Sequence, residues 1–152
     1  MRALLSLAAV LALASCSPPP ATPTTSATGA ANFVIDDLAE NDGDIQGCAR
    51  MLGRVNAQPG ADVFREDGVD TGAKGFIRID GVLIQVNLVS ANATEQGGAR
   101  AFADASRSTQ VVETLTTGAA HEESDSVEES GALTVTHNGA TQILQVSGGT
   151  AC

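Results

Sequence analysis

The side chains best suited to acid–base chemistry in this chain are its two histidines, His121 and His137. His121 opens the run His121-Glu122-Glu123-Ser124-Asp125, which sets an imidazole beside three carboxylates. A neighbouring carboxylate can orient an imidazole as a base, and serine hydroxyls are plentiful here. Nucleophilic catalysis needs more than that. No Gly-x-Ser-x-Gly elbow sets a serine on a strained strand-to-helix turn, so no catalytic residue is expected. His121, Glu122, Glu123 and Asp125 also offer nitrogen and oxygen to a cation, but adjacent loop residues rarely converge on one ion. Asn41-Asp42-Gly43-Asp44 has the start of a calcium loop without its glycine spacing or distal glutamate, and a solvated turn is expected there. Glycine loops that cradle phosphate before a helix are also missing. The expectation is therefore no metal and no cofactor.

The N-terminal residues carry a chemistry of their own. Met1-Arg2 is positively charged, Ala3 to Leu13 is almost wholly Leu, Ala and Val, and small Ala14 and Ser15 precede Cys16. That is the layout of a secretory signal. The apolar run is shorter than the roughly 20 residues a membrane span needs. Leu13-Ala14-Ser15-Cys16 resembles the lipobox of bacterial lipoproteins. The resemblance implies cleavage before Cys16, a thioether-linked diacylglycerol on its sulfur and a third acyl chain on its freed amine. Two or more such chains anchor a protein stably, at about 0.8 kcal/mol per buried CH2. Ser17 stands where an Asp would retain a lipoprotein in the inner membrane, so the resemblance points to the outer membrane. Residues 1–15 are then a lipoprotein signal peptide, and residues 16–31 are the lipidated Cys and a tether rich in Pro, Thr and Ser. Such a composition stays extended and unpacked, so a disordered tether is expected.

An envelope location bears on the other two cysteines, Cys48 and Cys152. In an oxidising compartment two leftover cysteines most often pair. Their bridge would close a loop of about a hundred residues and tie down the last residue of the chain. The alternative is a metal-binding or catalytic thiol, but two cysteines with no nearby His do not make a zinc set.

Loss of residues 1–15 leaves 7 basic against 18 acidic residues, a net charge of about −11. Phosphate backbones would be repelled, so no nucleic acid is expected as a partner. A bilayer would be met through acylated Cys16 alone, and a basic envelope protein is the partner that charge favours. Trp and Tyr are absent, and Phe stands only at 33, 64, 76 and 102. The core of a domain over residues 32–152 must come from Val, Ile, Leu and Ala.

From Gly47 onward the pattern is β. Residues 48–55, 62–65, 74–80, 82–89, 109–117, 132–136 and 141–146 read as strands. Asp80-Gly81 and His137-Asn138-Gly139 stand between apolar runs and mark hairpins. Phe33-Val34-Ile35 suits a first strand, with a one-turn helix over residues 35–39 as the alternative. Residues 90–98 read as a polar loop, 99–107 as two helical turns or a strand around Phe102, and 118–126 as an acidic loop. Short strands, regular turns and no long amphipathic helix predict an all-β chain, a single antiparallel β-sandwich or small barrel.

The stretches Gly47-Cys48, 74–81 and 131–135 with the terminal Cys resemble small bacterial envelope proteins that carry a β domain and bring no known activity. Gly97-Gly98-Ala99-Arg100-Ala101-Phe102 resembles in part the central motif of small-barrel periplasmic lysozyme inhibitors, which are also acidic, lipid-anchored and disulfide-closed. The expected function is a membrane-anchored, non-catalytic binding or structural module. The alternative is an acidic inhibitor of a cationic envelope hydrolase such as lysozyme, and a hydrolase or metal-dependent enzyme ranks third.

Overall fold

The structure, a computed structural model, describes residues 32–152 apart from Asp44, residues 69–71 and Glu95. The signal peptide, Cys16 and the tether expected over residues 1–31 lie outside the described residues. So does Asp44 of the turn at 41–44.

Among the described residues nine strands form: β1 (Ile35–Asp36), β2 (Ala49–Arg54), β3 (Asp62–Asp67), β4 (Lys74–Ile79), β5 (Val82–Thr94), β6 (Gly97–Ala103), β7 (Thr109–His121), β8 (Ser126–His137) and β9 (Ala140–Ala151). The chain is all-β. Two of the tightest connections are those marked by Asp-Gly and Asn-Gly. Asp80 and Gly81 have φ of 49° and 76°, and Asn138 and Gly139 have 49° and 84°. Positive φ at both central residues is the mirror-image turn whose twist matches that of paired strands.

From β2 to β9 each strand pairs antiparallel with the next. β9 then returns to β2, from Ala49↔Ala151 to Arg54↔Val146. The expected sandwich or barrel is thus an eight-stranded up-and-down barrel closed on itself, with β1 added alongside β4. Closure removes the unpaired edges that would otherwise template aggregation.

Side chains alternate across each strand, and one set turns inward. Leu52, Phe64, Ile77, Val86, Phe102, Val111, Leu133, Val135 and Val146 fill the lumen and are almost wholly hidden from solvent. Phe64 and Phe102 meet edge to face, ring centroids 5.3 Å apart, an arrangement worth about 1 kcal/mol beyond area burial. Eight strands leave a lumen that side chains can fill. Phe33 plugs one end against the ring of His137, 5.6 Å away, and Gln142 Nε2 donates to its carbonyl.

The acidic run after Phe33 is a strap along the outer wall. Asp42, expected in a solvated turn, is buried and accepts from Arg78 Nε at 2.9 Å and Nη2 at 2.6 Å. Arg65 Nη1 reaches the carbonyls of Ala39, Glu40 and Asp42. Arg54 pairs with Asp37. Gly43 of the strap lies against the ring of Phe76, and β3 and β4 have both of their faces hidden, which explains their mixed pattern.

Two segments differ from expectation, and a third takes the strand alternative of its two expected forms. β5 runs on to Thr94 and β6 begins at Gly97, so residues 90–98 are mostly strand. Residues 99–103 are strand and not helix, because Arg100 and Phe102 are aligned to the lumen between β5 and β7; that packing overrides the helix preference of Ala and Arg. β7 continues to His121, and only a 3₁₀ turn at Glu122–Ser124 remains of the acidic loop.

Strands this long bend where glycine allows it. A Cβ on Gly148 would strike the carbonyl oxygen of Met51 across the closing β2–β9 seam. Gly148→Ala is therefore expected to lower stability by about 2 kcal/mol or more through backbone displacement, measured by urea denaturation. An unchanged midpoint would show that the seam is looser than its geometry.

Candidate functional site

The end of the barrel opposite Phe33 is marked by Cys48 and Cys152, joined with an S–S distance of 2.07 Å. Just inside this end the lumen changes from apolar to charged. Arg50 on β2 stands directly across from Glu66 on β3, and Arg100 on β6 directly across from Glu113 on β7. Opposite charges in register stabilise neighbouring strands, and here both pairs point into the barrel.

The two pairs meet across the lumen. Arg50 Nη1 donates to Glu66 Oε2 at 2.9 Å and to Glu113 Oε1 at 2.6 Å. Its Nε and Nη2 grip both oxygens of Glu129, on β8, at 2.7 and 2.8 Å. Arg100 Nη2 donates to Glu66 Oε1, and its Nε lies 3.4 Å from Glu113 Oε1. Thr150 Oγ1 donates to Glu129 at 2.8 Å. Arg100 rests over the ring of Phe102, 5.7 Å from its centroid, so the charged layer sits directly on the apolar one.

Among the described residues three carboxylates face two guanidiniums, so negative charge is in excess when all are ionised. Burial strongly disfavours charge at Glu113, and with Glu66 and Glu129 nearby it outweighs Arg50 and Arg100. The Glu113 carboxyl is pushed up from 4.5 to about 7. Burial pushes Glu66 up as well, against the pull of Arg50 and Arg100. Burial opposes the charge on Arg50, but Glu129, Glu113 and Glu66 prevail and hold its proton more firmly than usual.

Beside this cluster lies a cavity of about 60 Å³, lined by Arg50, Arg100, Glu113, Glu129, Thr94 and Thr117 among others. It is room for about two water-sized groups. Ala93 and Thr94 on its wall are exposed, so it opens to solvent beside the β5–β6 hairpin. Glu113 Oε2 is buried and has no hydrogen-bond partner among the described residues.

A raised carboxyl pKa has a definite sign. Between pH 4.5 and about 7 the folded chain keeps a proton on Glu113 that the unfolded chain has released, so stability falls as pH rises through that window. The loss amounts to up to about 3 kcal/mol by neutrality. Asp42, held by Arg78, and Asp104, held by Ser106 and the Thr109 amide, have lowered pKa values. Their contribution is present above 3.8 and is lost as pH falls through their folded values. Thermal unfolding across pH is expected to show its maximum on the acid side of neutrality, and Glu113→Gln is expected to flatten the fall toward neutral pH.

The residues singled out for chemistry lie elsewhere and are not brought together. His121 is exposed at the tip of the β7–β8 hairpin, its Nε2 3.0 Å from Glu128 Oε1. Glu122, Glu123 and Asp125 are exposed beside it. His137 is at the plugged end, its Nδ1 2.9 Å from Thr109 Oγ1 and its Nε2 2.9 Å from Asn138 Nδ2. Among the described residues no three His, Cys, Asp or Glu side chains are placed to share a metal ion. Sequence reasoning missed the five-residue cluster altogether. Its signal was a charged residue two positions from a core residue on the same strand face: Arg50 with Leu52, Glu66 with Phe64, Arg100 with Phe102, and Glu113 between Val111 and Leu115.

No family model, no curated protein and no solved structure matches the chain.

Proposed function

We propose that this chain is an envelope lipoprotein. Cys16, exposed by removal of residues 1–15, carries the acyl chains, and the outer membrane is the destination where the cell has one. Residues 16–31 hold the barrel off the lipid surface as a non-catalytic binding or structural module. The observation that carries the binding role is the disulfide end of the barrel, where a rigid wall surrounds a small charged cavity open to solvent. The opposite end is plugged by Phe33. Rigid scaffolds with a few convergent polar groups in a concavity suit recognition. The anchor rests on the lipobox resemblance of Leu13-Ala14-Ser15-Cys16.

The test is the intact mass of the protein extracted from membranes of its native host. A mass with acyl chains on a chain beginning at Cys16 supports the reading. An unlipidated mass with residues 1–15 retained overturns it.

A second reading is an acidic inhibitor of a cationic envelope hydrolase. It is favoured by Glu122, Glu123, Asp125 and Glu128, all exposed on one hairpin at the open end. Electrostatic association is strongest at low ionic strength. Protection of a cell-wall substrate from lysozyme at low salt supports this reading, and full lysozyme activity in the presence of excess protein eliminates it.

A further inference from the structure

We propose that the cavity beside Glu113 is a receptor for a primary ammonium group, either the tip of a lysine side chain or a small free amine. The inference deepens the binding-module reading and rests on it for its biological setting, but its chemistry rests on the cavity alone.

Four observations converge on this ligand. First, Glu113 lines the cavity, and its Oε2 is buried with no partner among the described residues, although Oε1 of the same group is held by Arg50. A buried acceptor left unmet costs about 1–3 kcal/mol, so a donor placed there removes a standing penalty. Second, among the described residues the cluster sets three carboxylates, Glu66, Glu113 and Glu129, against the guanidiniums of Arg50 and Arg100, a surplus of negative charge when all are ionised. A monovalent cation offsets it. Third, the wall also carries two hydroxyls, beside Arg50 and Arg100, whose guanidiniums are held by carboxylates. Thr94 Oγ1 already donates to the Gly97 carbonyl at 2.9 Å and so presents lone pairs, and Thr117 adds a second hydroxyl. An ammonium group has three donors and no acceptor, which matches a carboxylate oxygen and two hydroxyls. Fourth, the volume of about 60 Å³ holds about two heavy atoms, a terminal carbon and its nitrogen. A guanidinium is too large, and a metal ion would find one free carboxylate oxygen where it needs several.

A proton on Glu113 offsets the same charge, so proton and ammonium compete for the site. Affinity should therefore be about ten-fold weaker at about pH 6 than at about pH 8, where the carboxylate is ionised.

The experiment titrates the isotopically labelled chain, residues 16–152, with methylammonium chloride and separately with Nα-acetyl-lysinamide, following backbone amide resonances by NMR. Tetramethylammonium chloride, which has the charge but no N–H, controls for ionic strength. Saturable shifts at Gly97, Gly98 and Thr117 with methylammonium and none with tetramethylammonium are expected. Saturation by Nα-acetyl-lysinamide as well identifies a lysine side chain as the natural occupant, and saturation by methylammonium alone identifies a free amine. Glu113→Gln is expected to weaken binding at least ten-fold, while Glu122→Gln, on the exposed hairpin, leaves it unchanged. Should Glu113→Gln fail to fold, Thr117→Val, which removes one hydroxyl acceptor, is expected to weaken binding about five-fold. Equal responses to methylammonium and tetramethylammonium, or binding that both variants retain in full, would overturn the proposal and leave the cavity to water. Because neither ligand depends on acylation, failure here leaves the anchor reading standing. An unlipidated Cys16 likewise leaves the cavity chemistry standing.

Discussion

Arg50→Met is expected to cost about 3–5 kcal/mol of folding stability near neutral pH, the penalty for removing one partner from a buried ion network. Arg50 touches all three carboxylates of the cluster, Glu66, Glu113 and Glu129. Without it Arg100 alone faces three acids at the open end of the lumen, and the excess of negative charge grows. The carboxyls respond by taking up protons, so the loss should shrink as pH falls toward about 5. Urea denaturation at the two pH values measures both effects. Arg54→Met supplies the contrast. Arg54 pairs with Asp37 on the outer wall, where both side chains are more than a third exposed, and its loss should cost under about 1 kcal/mol. If the two substitutions prove equal, the lumen is wet and the cluster is an ordinary surface network turned inward.

The second large effect belongs to the disulfide. Cys48 and Cys152 are 104 residues apart in sequence. In the chain-entropy treatment a loop of about 100 residues is worth about 4–5 kcal/mol to the folded state. The location adds to the expectation. Cys48 immediately precedes β2 and Cys152 immediately follows β9, and Ala49↔Ala151 is the last rung of the β2–β9 ladder. That ladder is the one pairing of the barrel that joins distant parts of the chain, since every other barrel strand pairs with its immediate successor. Its closure bears the largest loop entropy in the fold. The paired substitution Cys48→Ser, Cys152→Ser should therefore lower the thermal midpoint by about 10–20 °C. It should also speed amide exchange in β2 and β9 before it does so in the β7–β8 hairpin. Reductant added to the unsubstituted protein should reproduce the shift. No change with reductant would show that the two thiols are not bridged.

Much of the local architecture was legible in the chain. Asp80-Gly81 and Asn138-Gly139 specify mirror-image turns because few other dipeptides tolerate positive φ at both positions. The alternation Val111, Glu113, Leu115 and the run Leu133, Val135 place residues on one strand face. Other boundaries were not legible. β5 and β7 carry small and polar residues past Val89 and Thr117, where composition reads as loop, and only pairing with β6 and β8 keeps them extended. Asp42 reads as a solvated turn residue until Arg78, 36 positions later, is brought against it by the strap.

The all-β class, the two hairpins and the candidate pairing of Cys48 with Cys152 follow from the sequence by itself, because they depend on backbone preferences, period-two alternation and residue count. Closure of the barrel and the charged layer within it were decided only by the tertiary structure. Alternation states which residues share a face, but it marks the inward face by its apolar members. Arg50, Glu66, Arg100 and Glu113 lie on that face as charged residues, and along any one strand each looks like a position turned to water. They become an interior site only when β9 closes on β2 and the Arg50/Glu66 and Arg100/Glu113 pairs, far apart in the chain, meet across the lumen.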